Sequence, residues 1–213
     1  MYNEKQAREE LIRYGKSIFE RGLTGGASAN ISVRLKEGFM ISPTNSSIGF
    51  LDQHDLSILD KNGEWLRGEK PSKEFALHKA FYDERPQDNA VVHLHSTYAT
   101  ALSCLDLPEE QLFPPLTPYL YIRLGRVAKV PYFSPGDNQL AKAVQTVTKQ
   151  TAGVLMANHG PIVSANTLCN AMYAIEELEE SAKITLLLKG QPCVHISAQN
   201  VNSLLVKYGH KKD

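Results

Sequence analysis

The sequence predicts an α/β fold of the α+β-like kind: a layered domain with a central, largely antiparallel mixed sheet flanked by helices. Two observations predict it. Short apolar runs typical of strands alternate along the chain with segments of helical periodicity, and several strand pairs are separated by only a few turn residues, which favours antiparallel hairpins. The 213 residues contain no repeat, no low-complexity segment and no linker-like change of composition. Residues 1–213 are therefore predicted to form a single domain, with two small domains as the alternative.

The first third of the chain predicts one helix and two hairpins. Residues 4–21 are expected to form the helix, because apolar side chains recur there at the 3.6-residue period. Predicted strands at 31–35 and 39–42 flank a three-residue turn. A second pair, at 57–60 and around Trp65, flanks an Asn-Gly turn, which is a strong hairpin signal.

The rest of the chain alternates helices with strands. Ser72 is the expected N-cap of a helix over 73–83, and the prolines between 108 and 118 predict a long irregular crossing. The remaining helices are expected at 96–104, 138–149, 167–189 and about 201–208, and the remaining strands at 90–95, 127–131, 153–157 and 162–164.

Charge and cysteine content exclude several classes of protein. Lys and Arg number 23 and Asp and Glu number 23, a balance that argues against a nonspecific nucleic-acid binder. The charged N-terminus lacks the apolar core of a signal peptide, and no apolar run approaches the ~18 residues of a membrane span. The cysteines at 104, 169 and 193 are too few and too far apart for a disulfide framework. We expect a soluble, reduced, cytoplasmic protein without nucleic-acid or membrane partners.

Three histidines and one glutamate form the strongest chemical pattern in the sequence. His93 and His95 stand two residues apart at the end of a predicted strand, so both imidazoles lie on one face. Glu74 lies in the first turn of the preceding helix, and His159 follows another strand in a Gly-Pro loop. Three imidazoles and a carboxylate suit Zn²⁺ or a similar divalent ion. Taken singly, each residue also fits a structural role, such as a hydrogen-bonding histidine or an acidic side chain at a helix N-terminus.

A second group of residues could bind an anion. Asn30, the loop over 42–47 and the pair Ser72 and Lys73 offer amide, hydroxyl and ammonium donors, and the pair lies at a helix N-terminus. The competing interpretation is that these are ordinary turns and that Ser72 only caps its helix. The acidic run over 176–180 is interpreted as a solvated helix face, in which Glu179 would pair with the lysine four residues later.

Five segments, taken in order, resemble the motifs of the class II aldolase family, which includes fuculose-phosphate aldolases and ribulose-phosphate epimerases. The match covers nearly the whole chain, and the combination of motifs is far more specific than any one of them. The segments are a small-residue loop ending in N-x-S-x-R at 25–34, a proline-threonine loop at 41–47, PSKEFALH at 71–78, VVHLH at 91–95 and ANHG at 157–160.

The resemblance implies a zinc-bearing mixed sheet and a metal site. One Zn²⁺ ion per subunit would be held by His93, His95 and His159, with another divalent metal as the alternative. Glu74 would either ligate the ion or leave it to act as an acid/base.

The resemblance also implies a substrate phosphate site and an oligomer. The family typically forms a homotetramer with sites between subunits, and a tyrosine from a neighbouring subunit reaches each site. Tyr119 falls near that position, and Tyr121 is the alternative. The residues that match the family's phosphate-binding positions are Asn30, Thr44, Asn45, Ser72 and Lys73.

Three residues depart from the motifs of particular branches of the family, and these differences narrow the choice of branch. Glu74 stands where the epimerases carry Asp, which argues against an epimerase. Lys73 stands where the aldolases carry a small hydroxyl residue, and Asn45 replaces a glycine, although Asn can adopt the same left-handed turn. Further segments, including HLHSTYATALSCL, LMANHGPIV and AIEELEESAK, resemble a branch of 3-oxo-tetronate 4-phosphate decarboxylases.

That branch implies the conversion of a phosphorylated four-carbon keto acid to dihydroxyacetone phosphate and CO₂. The alternative is an aldolase that cleaves a sugar phosphate to dihydroxyacetone phosphate and an aldehyde. A noncatalytic binding module is the rival from another class, and the three histidines argue against it. Decarboxylation requires an acid that protonates C2, for which Glu74 is the first candidate and Tyr119 the second. Arg123 and Arg126 could add positive charge near the substrate or serve at a surface or interface.

Overall fold

The computed structural model describes residues 1–134 and 136–210, and within them eight α-helices and eight strands follow one another. Residue 135 and residues 211–213, which the predicted domain includes, lie outside the described residues. The helices are α1 Glu4–Glu20, α2 Phe75–Glu84, α3 Thr97–Ser103, α4 Glu109–Leu112, α5 Tyr119–Arg123, α6 Asn138–Thr148, α7 Leu168–Leu187 and α8 Ala198–Lys207. The strands are β1 Asn30–Leu35, β2 Gly38–Ile41, β3 Ser57–Leu59, β4 Trp65–Arg67, β5 Ala90–His93, β6 Val127–Val130, β7 Gly153–Met156 and β8 Gly160–Ala165.

The strands form one eight-stranded sheet in the order β4-β3-β2-β1-β5-β8-β7-β6. Neighbouring strands run antiparallel throughout, except for the parallel pair β6 and β7. The predicted hairpins β1–β2 and β3–β4 are both present. The expectation of a largely antiparallel mixed sheet is therefore confirmed.

Helices cover both faces of the sheet, each over its own apolar cluster. One cluster contains Leu11, Ile31 and Leu178 and packs α1, α3 and α7 against the sheet. The other contains Phe81 and Val144 and packs α2 and α6 against the opposite face. Strand alternation assigns the side chains of each strand to one cluster or the other.

The same alternation places the polar side chains of β1 and β5 towards α2. In β1, Ile31 and Val33 enter the α1 and α7 cluster, so Asn30 and Ser32 face the other way, towards α2. His93 ends β5 on the α2 side as well. The candidate site residues of the sheet thus share one face and one end of it.

Two boundary predictions are wrong at places that matter for the site. The strand predicted over 90–95 ends at His93, so Leu94 and His95 lie beyond it, although the Leu94 backbone N–H still donates to the carbonyl of Pro161 at 3.3 Å. The helix predicted from 73 begins at Phe75 with Glu74 in the N-cap position, so Ser72 is not the N-cap. Ser72 instead donates its backbone N–H to the carbonyl of Ser42 at 3.3 Å, which ties the start of the helix to the end of β2.

The crossing predicted as irregular between 108 and 118 contains the short helix α4, and α5 follows it directly. Within the described ranges, no helix is long and apolar enough to cross a membrane.

Candidate functional site

Four chain segments meet beside the end of β5. His93 is the last residue of β5, and His95 follows it two residues later. His159 lies in the tight turn between β7 and β8, and Glu74 occupies the N-cap position of α2. Because β5 pairs with β8, with His93 opposite Ile162, the turn that carries His159 stands next to both other histidines.

The three imidazoles converge on one point. Each pair of ring centroids is 4.9 Å apart, and the available ring nitrogens all lie within 4.8 Å of one another. His93 Nδ1 donates a hydrogen bond to the carbonyl of Pro161 at 2.8 Å. In the neutral ring this leaves a lone pair on His93 Nε2, which faces His95 Nε2 at 3.0 Å.

The turn that carries His159 depends on two unusual backbone conformations. Asn158 has a φ of 54° and Gly160 a φ of 140°. A side chain at Gly160 would come within 2.7 Å of the carbonyl oxygen of Leu94, so only glycine allows this approach. The turn is thereby pressed against the residue that separates His93 from His95.

Glu74 provides a buried carboxylate next to the imidazoles. Its Oε1 lies 3.3 Å from His159 Nε2 and its Oε2 lies 3.6 Å from His93 Nε2. The amide nitrogen of Asn30 donates to Oε2 at 2.8 Å. Burial acts to raise the pKa of the Glu74 carboxyl, but the adjacent His159 and His93 rings and the Asn30 amide together hold that pKa below its ordinary value.

Burial keeps the His93 and His95 imidazoles uncharged at neutral pH. Burial lowers the pKa of His93 to about 3, and burial together with repulsion from His159 lowers the pKa of His95. Neutral imidazoles are the form that ligates metals.

The donor set fits a divalent metal ion. Neither ring nitrogen of His159 makes a hydrogen bond within the described part of the chain, although both atoms are buried. Buried polar atoms are normally satisfied, so this pair marks a place for a further ligand. Three imidazoles, with a carboxylate beside them, are typical of zinc and of related divalent metals.

Glu179 fixes the segment that carries His95. Its carboxylate on α7 accepts hydrogen bonds from the Ser96 hydroxyl at 2.7 Å, from the Tyr98 backbone N–H at 2.8 Å and from the Ala99 backbone N–H at 2.7 Å. The interpretation of Glu179 as part of a solvated face is wrong. Lys183, the lysine expected to pair with Glu179, instead places its Nζ 3.9 Å from Glu180 Oε2.

Four of the five predicted phosphate-binding residues lie on two adjoining loops, and the fifth, Asn30, lies on β1. The end of β2 and the segment before α2 are joined by an isolated bridge between Pro43 and Pro71. Thr44 and Asn45 lie on the first loop, and Asn45 adopts a φ of 54°, the left-handed turn that the sequence allows. Lys73 lies on the second loop, is exposed, and has no acidic partner among the residues that the structure describes.

The predicted aromatic and arginine residues lie elsewhere on the chain. Tyr119 on α5 is 59% exposed. Tyr121 donates its hydroxyl hydrogen to the carbonyl of Phe113 at 3.3 Å. The Arg123 guanidinium stacks over the ring of Tyr173, 5.2 Å from its centroid. None of these contacts involves the histidine cluster.

Comparison with known proteins identifies both a family and close relatives. The family described as Class II Aldolase and Adducin N-terminal domain matches residues 9–186. A 3-oxo-tetronate 4-phosphate decarboxylase of Escherichia coli K12 is 42% identical over 203 residues, which cover 94% of this chain and 96% of the relative. An L-fuculose phosphate aldolase of Methanococcus maripaludis is 33% identical over 178 residues, which cover 84% of this chain and 94% of the relative.

Solved structures agree with these relationships. The crystal structure of YgbL from Escherichia coli matches with a TM-score of 0.91 and 40% identity, covering 94% of this chain and 98% of that one. A structure of an L-fuculose 1-phosphate aldolase matches with a TM-score of 0.84 and 33% identity, covering 96% of both chains.

Substitution of His95 tests the metal site. We expect His95→Ala to lower the affinity for Zn²⁺ by at least about 100-fold, because changes that only touch a ligand already cost 10- to 100-fold. The measurement is a competition titration against a chromogenic chelator, with thermal unfolding in the presence and absence of the metal. His54→Ala, which removes an exposed histidine, is the control and should bind metal normally. Equal metal affinity of the two variants would contradict the assignment of His95.

Substitution of Glu179 tests the anchor of the His95 segment. Glu179→Ala leaves three donors without their charged acceptor and should lower the free energy of unfolding by about 2–3 kcal/mol. Glu180→Ala removes a neighbouring, mostly exposed carboxylate and should change it by less than about 0.5 kcal/mol. Urea denaturation of both variants measures the difference. Equal stabilities would show that the three hydrogen bonds contribute nothing.

Proposed function

This chain belongs to the class II aldolase family, and from that premise we propose that it converts a 3-oxo-tetronate 4-phosphate to dihydroxyacetone phosphate and CO₂. It is an enzyme, a carbon–carbon lyase of the carboxy-lyase type. The observation that carries the proposal is the cluster of three imidazoles and one carboxylate, in which His93, His159 and Glu74 are buried. Relatives with the decarboxylase name that are 40–42% identical over 90–95% of the chain support the choice of reaction.

The metal in this proposal is one Zn²⁺ per chain, with another divalent ion as the alternative. His93, His95 and His159 would hold it, and Glu74 would either join them or remain beside them. When bound, such an ion acts as a Lewis acid that stabilises negative charge on substrate oxygens.

Glu74 is proposed to protonate the substrate carbon. Breaking the C1–C2 bond releases CO₂ and leaves an electron pair at C2, conjugated with the C3 carbonyl, so one proton must be added at C2. The carboxyl group of Glu74 is ionised in the free protein, since its pKa is lowered. An anionic substrate close to it raises that pKa again, because like charges oppose ionisation. Glu74 thus takes up a proton from solvent as the substrate binds and can pass it to C2.

The two loops beside Glu74 are proposed to hold the phosphate. Thr44 and Asn45 on one loop and Ser72 on the other supply hydroxyl, amide and backbone donors. Asn30 on β1 keeps a second amide hydrogen beyond the one it donates to Glu74, and Lys73 adds a positive charge. Backbone N–H groups at the start of α2 favour an anion for the same reason.

Tyr119 is proposed to act across a subunit boundary. It is largely exposed on its own chain, so a neighbouring copy in a homotetramer could receive its hydroxyl. There it would serve as a second proton donor or position the substrate. Tyr121 is the weaker candidate, because its hydroxyl is bonded within the chain.

An aldolase reaction is the second candidate function. Relatives named L-fuculose phosphate aldolase are 30–33% identical, and the fold is shared with solved aldolases. The two reactions break a bond to the same carbon of the dihydroxyacetone phosphate half, and they differ in the leaving group. An aldehyde leaves only after a base has removed a hydroxyl proton, whereas CO₂ needs no such base.

A product assay separates the two candidates. Zinc-loaded protein is supplied with 3-oxo-tetronate 4-phosphate, and dihydroxyacetone phosphate and CO₂ are measured separately. We expect equal amounts of both products. L-Fuculose 1-phosphate is the comparison substrate. No reaction with the keto acid, together with triose phosphate and an aldehyde from fuculose 1-phosphate, would replace the decarboxylase by the aldolase.

The role of Glu74 has its own test. Glu74→Gln keeps the size of the side chain but removes the ionisable group, and should lower kcat by about 10²- to 10⁴-fold with the fold intact. Glu64→Gln, at an exposed position in the β3–β4 turn, is the matched control and should leave kcat unchanged. Circular dichroism verifies folding of both variants. A near-normal kcat for Glu74→Gln would remove Glu74 from the proton transfer.

A further inference from the structure

A line of hydrogen bonds connects Glu74 to the interior of the domain. Asn30 Oδ1 lies 2.5 Å from His78 Nε2, and His78 Nδ1 lies 2.7 Å from the hydroxyl of Ser32. That hydroxyl in turn lies 2.8 Å from the hydroxyl of Tyr82. All four side chains are buried between β1 and α2. None of them belongs to the cluster of imidazoles that would hold a metal.

The chemistry of the groups fixes the direction of every bond in this line. The Asn30 amide nitrogen donates to Glu74, so its oxygen faces His78 and can only accept. His78 Nε2 must therefore carry the hydrogen. In a neutral ring Nδ1 then accepts from Ser32, whose oxygen accepts from Tyr82. Each donor points towards the Glu74 carboxylate.

Burial favours the neutral forms of His78 and Tyr82, the two titratable side chains in this line of hydrogen bonds. It lowers the pKa of His78 to about 3 and raises the pKa of Tyr82 well above its usual range, a direction that keeps the hydroxyl hydrogen in place. The guanidinium of Arg34 stacks over the Tyr82 ring, 4.7 Å from its centroid, and donates to the Tyr82 carbonyl at 2.7 Å. The far end of the line is thus held rigidly.

We propose that His78 is a positioning residue: its Nε2–H fixes the orientation of the Asn30 amide, and that amide fixes the carboxylate of Glu74. The inference deepens the proposed function and rests on it for its kinetic consequence. An amide can turn by 180° at little cost when nothing selects its oxygen. Without His78 the Asn30 oxygen loses its donor, so the single hydrogen bond to Glu74 is left to hold the amide, and the carboxylate loses a fixed partner.

Two substitutions at His78 separate positioning from packing. His78→Leu fills a similar volume without polar atoms, whereas His78→Gln retains one N–H donor and one acceptor. We expect His78→Leu to lower kcat by about 10- to 100-fold, the range for a lost hydrogen bond to a charged group. The KM should change less than threefold, and His78→Gln should restore most of the rate. Phe81→Leu, in the same helix, is the control for packing and should lower the Tm without lowering kcat.

A second readout does not depend on turnover. The visible absorption of bound Co²⁺ reports the groups around the ion, so it should change in His78→Leu and stay native-like in His78→Gln. If the native protein fails to turn over the keto acid phosphate, the proposed function fails while the Co²⁺ spectra still decide the role of His78. Native kcat and spectrum in His78→Leu would overturn the inference. The inference would also be overturned if His78→Leu and His78→Gln lost kcat equally and in proportion to their loss of Tm. That result is expected of a purely structural histidine.

Discussion

The arrangement of the site depends on imidazole nitrogens that face one another beside the end of β5. His93 Nε2 and His95 Nε2 are 3.0 Å apart, and the His93 ring has already committed its hydrogen to the carbonyl of Pro161. His159 adds two ring nitrogens without partners in the described part of the chain. A neutral His95 ring with its hydrogen on Nε2 satisfies the His93 lone pair, but it leaves the buried nitrogens of His159 without a hydrogen-bond partner in the described residues. A metal ion can accept a lone pair from all three rings at once, and burial keeps His93 and His95 in the neutral form that ligates metals.

The rest of the fold holds these atoms in place against their own repulsion. His93 is fixed by a strand with neighbours on both sides, and the His159 turn is fixed by its contact with the backbone at Leu94. His95 lies outside the sheet, and there Glu179 anchors the following segment from α7. Glu74 lies at the start of α2, held through Asn30. Each of these four side chains thus lies on a different segment of the chain. Each segment is connected to the sheet or to α7 by the contacts described.

Sequence reasoning predicted the parts of this structure that follow local rules. Periodicity located the long helices and the hairpins, and the order of the motifs brought His93, His95 and His159 together. It failed for Glu179, because an acidic residue on an amphipathic helix looks the same whether it faces water or caps another helix 80 residues earlier. The link from His78 to Glu74 through Asn30 depends on how β1 packs on α2, which no local pattern encodes.

Charge balance relates this site to the proposed reaction. A 3-oxo-tetronate 4-phosphate carries a carboxylate that a ketose phosphate lacks, so its site must accommodate one more negative charge beside the ionised Glu74. Lys73 directly precedes Glu74 and has no acidic partner in the described ranges, so it supplies a matching positive charge at the start of α2. The same position in an aldolase needs only a neutral donor for the phosphate. Under the proposed function, the imidazole cluster would serve either reaction, and the charge around Glu74 would distinguish them.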